Sequence, residues 1–178
     1  MDTFLSTYRL YVQHDAPPAS GAAPQIPAEL RTYLDTVQRN SYADGFFQFV
    51  SADYCRPYFS LWGLDPAHCL GFLKCGFGHV VFYHEGQYKA LNPVHNCIDE
   101  VGTEGDLEFV MDTLLCDREG LEASYFIDVY EAAFPRLGAP ASSEMYAFVP
   151  ALGLGGSRDA TAVEKKPMRT EMAILARI

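Results

Sequence analysis

His79-Val80-Val81-Phe82-Tyr83-His84-Glu85-Gly86-Gln87-Tyr88-Lys89-Ala90-Leu91 decides how the chain is read. Two runs rich in β-branched and aromatic residues flank a Glu85-Gly86 step, and a two-residue loop carrying glycine joins antiparallel strands because it accepts the positive φ of a tight hairpin turn. Val94 to Ile98 follows closely enough to form a third strand. Upstream, Phe46 to Val50 has the length and aromatic content of another strand. Before it, Leu30, Tyr33, Leu34 and Val37 recur at helical spacing from Pro27 to about Asn40. Asp53 is placed to cap a helix through Tyr54, Tyr58, Phe59, Leu61 and Trp62, ending at Gly63 and Pro66.

Downstream the period turns helical again. A first helix carries Leu107, Val110, Met111 and Leu114 after a Thr103 cap, and a second runs from about Glu122 to Leu137, with Pro135 a potential kink and Gly138 a stop. Strands are expected over Met145 to Leu152 and near Ala162 to Lys165, then a helix holding Met172, Leu175 and Ala176. Helices and strands in this order predict an α+β fold, a mixed and mainly antiparallel sheet packed with several helices. The Pro/Ala-rich stretch Ala16 to Pro24 divides an N-terminal arm and linker, residues 1–26, from a body over 27–178, with subdomains at about 27–100 and 101–178.

Composition narrows the function. Of 178 residues 49% are hydrophobic and 20% charged, which predicts a packed core rather than a disordered acidic tail. The formal net charge of -10 is concentrated: eleven of the 23 acids, but only one of the 13 bases (Arg118), lie between Asp99 and Glu131, so the rest of the chain is neutral. Such a window repels nucleic acid and anionic membranes and attracts basic protein surfaces. No export signal or apolar span is legible, and the five cysteines have the pattern of reduced, buried thiols, so a cytoplasmic location is expected.

Several chemistries are weighed against this. His68, Cys69, Cys75 and His79 are the nearest approach to a zinc set, but adjacent His68 and Cys69 diverge on any regular backbone. A cysteine hydrolase would need a thiol beside a histidine such as His68, His79, His84 or His95, with nothing to select a pair. Cys116, among acids, is the poorest nucleophile. Gly153-x-Gly155-Gly156 lacks the Lys-Ser/Thr of a phosphate loop. No catalytic residue, metal or cofactor is expected. An acidic scaffold module binding some other basic protein is the other alternative.

Four stretches carry a family likeness: Tyr42-Ala43-Asp44-Gly45-Phe46-Phe47 with Asp53-Tyr54 and Leu61-Trp62; Gly76 to Phe82; Phe134-Pro135-Arg136-Leu137-Gly138; and Glu144 to Gly156. Together they resemble the GAD-like immunity family, whose C-terminal module occurs in antitoxins guarding against type VI secretion DNase effectors. The resemblance implies a non-catalytic inhibitor that binds a cognate nuclease toxin and covers its active site or DNA-binding groove. On that reading Asp106, Glu108, Asp112, Asp117, Glu119 and Glu122 form the toxin-binding surface, flanked by Tyr125 and Tyr130 as aromatic anchors.

Overall fold

In a computed structural model describing residues 2–12, 26–37 and 39–178, the hairpin is the centre of a larger meander. Seven strands pair antiparallel in chain order: β1 (Leu10–Val12), β2 (Ser41–Tyr42), β3 (Phe47–Phe49), β4 (Cys69–Cys75), β5 (Val80–His84), β6 (Gln87–Asn92) and β7 (Cys97–Thr103). A two-stranded sheet, β8 (Glu144–Phe148) with β9 (Val163–Pro167), completes the α+β architecture. The helices are α1 (Asp2–Thr7), α2 (Ala28–Val37), α3 (Ala52–Phe59), α4 (Leu107–Asp112), the single turn α5 (Arg118–Gly120), α6 (Ile127–Leu137) and α7 (Met168–Leu175). The stretch Ala16 to Pro24 read as a linker lies outside the described residues.

The hairpin register pairs Val81 with Ala90 and His84 with Gln87, so alternate side chains sort to opposite faces. Val80 and Phe82 join a core with Cys55 and Phe59 of α3 and Met168, Met172 and Leu175 of α7. Val81, Tyr88 and Ala90 join the larger core with Tyr33 and Val37 of α2 and Val110 and Met111 of α4. The sheet is therefore covered on both sides. Phe4 of α1 enters the larger core at 0% exposure, its ring edge-on to Tyr42, Phe47 and Phe49, so the first described residues pack on the sheet.

Strand β4 was not expected as a strand. All seven of its residues are buried, so Cys-Leu-Gly-Phe-Leu-Lys-Cys shows no polar alternation to betray its period. Gly71 lets α3 approach closely: a Cβ there would lie 2.4 Å from that of Cys55. Lys74 is the charged exception, at 0% exposure. Its ammonium donates to the carbonyls of Ala141 (3.2 Å), Ser142 (3.2 Å) and Glu144 (2.7 Å), while the Tyr54 hydroxyl also donates to Ser142. Burial lowers the Lys74 pKa to about 8.

Element boundaries differ in instructive ways. The cap of α3 is at Ser51, with Asp53 the second residue of the helix. At α4 the cap position belongs to Asp106, whose carboxylate turns back to accept from the Thr103 amide (2.8 Å) and hydroxyl (2.7 Å). The expected helix from Glu122 is broken: residues Leu121–Tyr125 form a π-turn, Phe126 adopts φ 60° and α6 starts at Ile127. Pro135 stays inside α6, which ends before Gly138 at φ 66°. The Met145–Leu152 strand stops at Phe148.

The four residues considered for zinc are spread out. His68 is at the surface near Asp65 (3.8 Å) and Glu85 (4.0 Å). Cys69 and Cys75 stand at opposite ends of β4, about 20 Å apart at the rise of a strand. His79 is fully buried, its ring 4.7 Å from that of Tyr125, and neither ring nitrogen makes a well-formed hydrogen bond. Burial lowers its pKa from 6.5 to about 3, so the folded protein holds it neutral while the unfolded chain takes up a proton below 6.5. Stability attributable to this site is full above pH 6.5 and is lost as pH falls toward 3. Replacing His79→Phe should flatten the fall in unfolding free energy between about pH 6 and 5 by about 1.4 kcal/mol per pH unit, measured by urea titration; equal slopes would refute the assignment.

Candidate functional site

The acidic window begins on β7, the outer strand of the meander, where Asp99 and Glu100 are exposed. Charge on an edge strand discourages pairing with another chain. The window then runs over α4, α5, the π-turn and the first turns of α6. Much of its charge has local work. Glu104 accepts from the Tyr83 hydroxyl at 2.8 Å. The two Thr103 bonds to Asp106 hold its carboxyl below the usual range. Asp112 accepts from the Phe4 amide at 3.1 Å and so anchors α1. Asp117 caps α5 by accepting from the Gly120 amide at 3.2 Å.

Two arginines organise the remainder. Arg118 donates to Glu122 at 2.6 Å and bidentately to Glu131 at 2.8 Å, linking the π-turn to α6. Arg158 arrives from the loop before β9. It donates to both carboxylate oxygens of Asp128 (2.9 and 3.0 Å) and to the Glu122 carbonyl (2.7 Å), with its guanidinium 5.4 Å from the centre of the Phe126 ring. The two-nitrogen contact of Arg118 with Glu131 fixes carboxylate direction as well as proximity, whereas Arg158 reaches Asp128 and Glu122 from a single nitrogen. The left-handed backbone of Phe126 is unfavourable for a non-glycine residue, and its ring is held among Phe77 (5.5 Å), Phe148 (5.3 Å) and His95 (5.5 Å).

The six acids expected to form one surface thus fall into two neighbouring groups. Asp106, Glu108 and Asp112 belong to α4 and its cap, and Asp117, Glu119 and Glu122 to the turn that follows. Glu108 and Glu119 are exposed, while Glu122 is half-buried. The expected aromatic anchors are elsewhere. Tyr130 is 1% exposed, stacked on Tyr146 at 4.6 Å with its hydroxyl on the Asp44 carbonyl, and Tyr125, 8% exposed, covers His79. Both turn into the core, because α6 and the π-turn bury the side that carries them. The aromatic that faces outward is Phe109, 53% exposed between Glu108 and the buried Val110. Its position off the Leu107, Val110, Met111 stripe was the available signal.

Away from the acidic window, a concave region of about 680 Å³ lies by the β1 edge and is lined by Tyr11, Arg39, Gln48, Tyr54, Pro140 and Ser142 among others. Its rim is set by the segment that Lys74 holds. Among the described residues no group of three or more His, Cys, Asp or Glu side chains converges as metal ligands would, and no helix is long and apolar enough to cross a membrane.

With the acidic surface placed, comparison with known proteins bears on its meaning. Residues 109–178 match the family described as T6SS immunity protein Tdi1, C-terminal. The match is a likeness over the C-terminal part of the chain. It takes in Phe109, the π-turn, Arg158 and α7, that is, most of the acidic turn and the small sheet. No curated protein matches the chain. Among solved structures, the crystal structure of Atu4351 from Agrobacterium tumefaciens superposes with a TM-score of 0.65 at 15% identity, covering 99% of this chain and 88% of that one. That likeness shows a shared fold.

Arg158 escapes a sequence reading because it stands 30 residues from Asp128 and outside the acidic window. Replacing Arg158→Ala should cost at most about 1 kcal/mol of global stability, as expected for exposed ion pairs. It should nevertheless speed hydrogen exchange of the amides over residues 121–128 several-fold, because a guanidinium holds that turn from the outside. Unchanged exchange would mean that Phe126 packing alone fixes the turn.

Proposed function

We propose that this protein is a GAD-like immunity protein that binds a cognate type VI secretion nuclease toxin, a DNase, in the cytoplasm and covers its active site or DNA-binding groove without catalysing a reaction. The observation that carries the reading is the family match over residues 109–178, the part of the chain that includes the acidic turn. A nuclease that grips DNA presents cations to phosphates, and a surface of oriented carboxylates complements them. Charge of this kind acts mainly on the rate of encounter, raising association by one to three orders of magnitude over a neutral surface. Speed of capture matters for a protein that must reach a toxin before the toxin reaches DNA.

The cysteine-hydrolase alternative finds little support. Burial raises the thiol pKa of Cys55 and Cys75, and that of Cys69 to about 11, so thiolate is scarce at neutral pH. His79 is sealed beneath Tyr125. An acidic scaffold for another basic protein shares the electrostatics, and the choice of partner separates it from the toxin reading.

The test pairs the full chain with a catalytically inactivated nuclease encoded beside it. The double replacement Glu108→Lys, Glu119→Lys should slow association at least tenfold at low salt and flatten its salt dependence, with little change in the unfolding midpoint. Phe109→Ala should act on dissociation instead. If co-production of the wild-type chain leaves cells unprotected from the active form of that nuclease, the reading fails. If protection holds but the lysine variant associates as fast as wild type, the interface lies off the acidic surface.

A further inference from the structure

The cavity by the β1 edge has no part in the acidic surface and lies at the opposite edge of the sheet from β7. Its floor follows from register: Val12, Ser41, Gln48 and Lys74 stand opposite one another in β1 to β4, so their side chains share one face of the sheet. Lys74 is paired in turn with Val80, and there α3 and α7 cover that face. Over β1 to β3 the face is left open between the start of α3 and the segment Ala139 to Ser142. At one end the walls meet, since a Cβ at Gly45 would lie 2.8 Å from that of Ala139 and 3.5 Å from the Tyr11 ring. The volume of about 680 Å³ falls in the range of small-molecule sites, roughly 300–1,000 Å³.

The hydrogen bonds in its walls are one-sided. Gln48 donates to the carbonyls of Gly45 and Pro140 (3.0 Å each), Lys74 to those of Ala141 and Ser142, and Tyr54 to that of Ser142. These wall carbonyls are taken, so the walls are fixed by the protein's own bonds. The donors are not taken. Among the described residues Arg39 is the one charged side chain in the lining, and its guanidinium makes no hydrogen bond or ion pair. Ser41, only 5% exposed, also lines the cavity, and among the described residues its hydroxyl makes no hydrogen bond either. Ser51 gives α3 no side-chain cap, which leaves the first amides of that helix as further donors, while Asp53 of the same turn is drawn to Arg56 at 3.3 Å. Behind the wall the Lys74 ammonium adds positive charge. Unused donors and two cations beside a hollow that Tyr11, Val12 and Pro140 make largely apolar select an anion with an apolar body.

We propose that this cavity binds a small organic acid, its carboxylate on the Arg39 guanidinium and the Ser41 hydroxyl and its apolar body between Tyr11, Tyr54 and Pro140. A planar guanidinium meets a carboxylate with two bonds and sheds water more readily than an ammonium, so Arg39 sets the preference for the anion. Burial of the apolar body supplies most of the affinity. The site does not depend on the proposed immunity function: it occupies one edge of the sheet, and the acidic window begins at the other.

The experiment titrates the full chain calorimetrically, near neutral pH, with naphthoate and with its uncharged isostere naphthamide. Naphthoate should bind once per chain and at least tenfold more tightly than naphthamide. Arg39→Gln should bring naphthoate down to the naphthamide level and leave naphthamide unchanged. Ala141→Trp, which fills the cavity from an exposed position, should abolish binding of both. Both variants should unfold at the wild-type midpoint without ligand, since neither position belongs to the core. No binding of naphthoate up to millimolar concentration, equal binding of the two compounds, or naphthoate binding that Arg39→Gln leaves intact overturns the proposal. A wild-type dimer in sedimentation that Ala141→Trp dissociates would assign the hollow to a second copy of the chain and overturn it as well.

Discussion

The burial of β4 on both faces is the constraint on which the rest of the structure depends. A strand with no solvent-facing side must be covered twice, and α3 and α7 on one side and α1, α2 and α4 on the other do so. Lys74 is the one charge in that strand, and its three carbonyl bonds fix where the chain passes from α6 to β8. An ammonium buried without acceptors would be untenable, so the segment 141–144 is held at one place relative to the large sheet. From that fixed point follow the seat of β8, the packing of α7 over Val80 and Phe82, and the placing of the loop that carries Arg158.

The acidic surface is built on this frame rather than merely displayed by it. Asp106, Asp112 and Asp117 are engaged in capping and tethering, and two arginines hold Glu122, Asp128 and Glu131. Like charges gathered this closely repel, and structural hydrogen bonds and ion pairs relieve part of that repulsion. Glu108, Glu119, Asp99 and Glu100 are exposed, with Glu100 3.7 Å from the Lys89 ammonium. The unfavourable backbone of Phe126 belongs to the same construction, since the ring that forces it is wedged between the two sheets' aromatic residues and covered by Arg158.

The sequence made some of this legible and concealed the rest for identifiable reasons. The β5–β6 hairpin, α2, the Leu107 stripe and the Gly138 stop were readable because turn chemistry and periodicity are local. Strand β4 was hidden because a fully buried strand carries no alternation. The break at Phe126 was hidden because no glycine or asparagine marks it, and tertiary packing imposes it. Tyr125 and Tyr130 looked like surface anchors because acids surround them in sequence, yet helical geometry turns neighbours to opposite sides.

By itself the sequence determined the fold class, the concentration of the whole net charge in residues 99–131 and the absence of any regularly spaced metal set, since composition and spacing are properties of the chain alone. The tertiary structure decided which acids face outward, that Phe109 is the exposed aromatic of the acidic window and that Arg158 reaches back across 30 residues to Asp128. Those facts depend on which surfaces of separate elements meet, and contacts between elements distant in sequence leave no mark on the local pattern of either one.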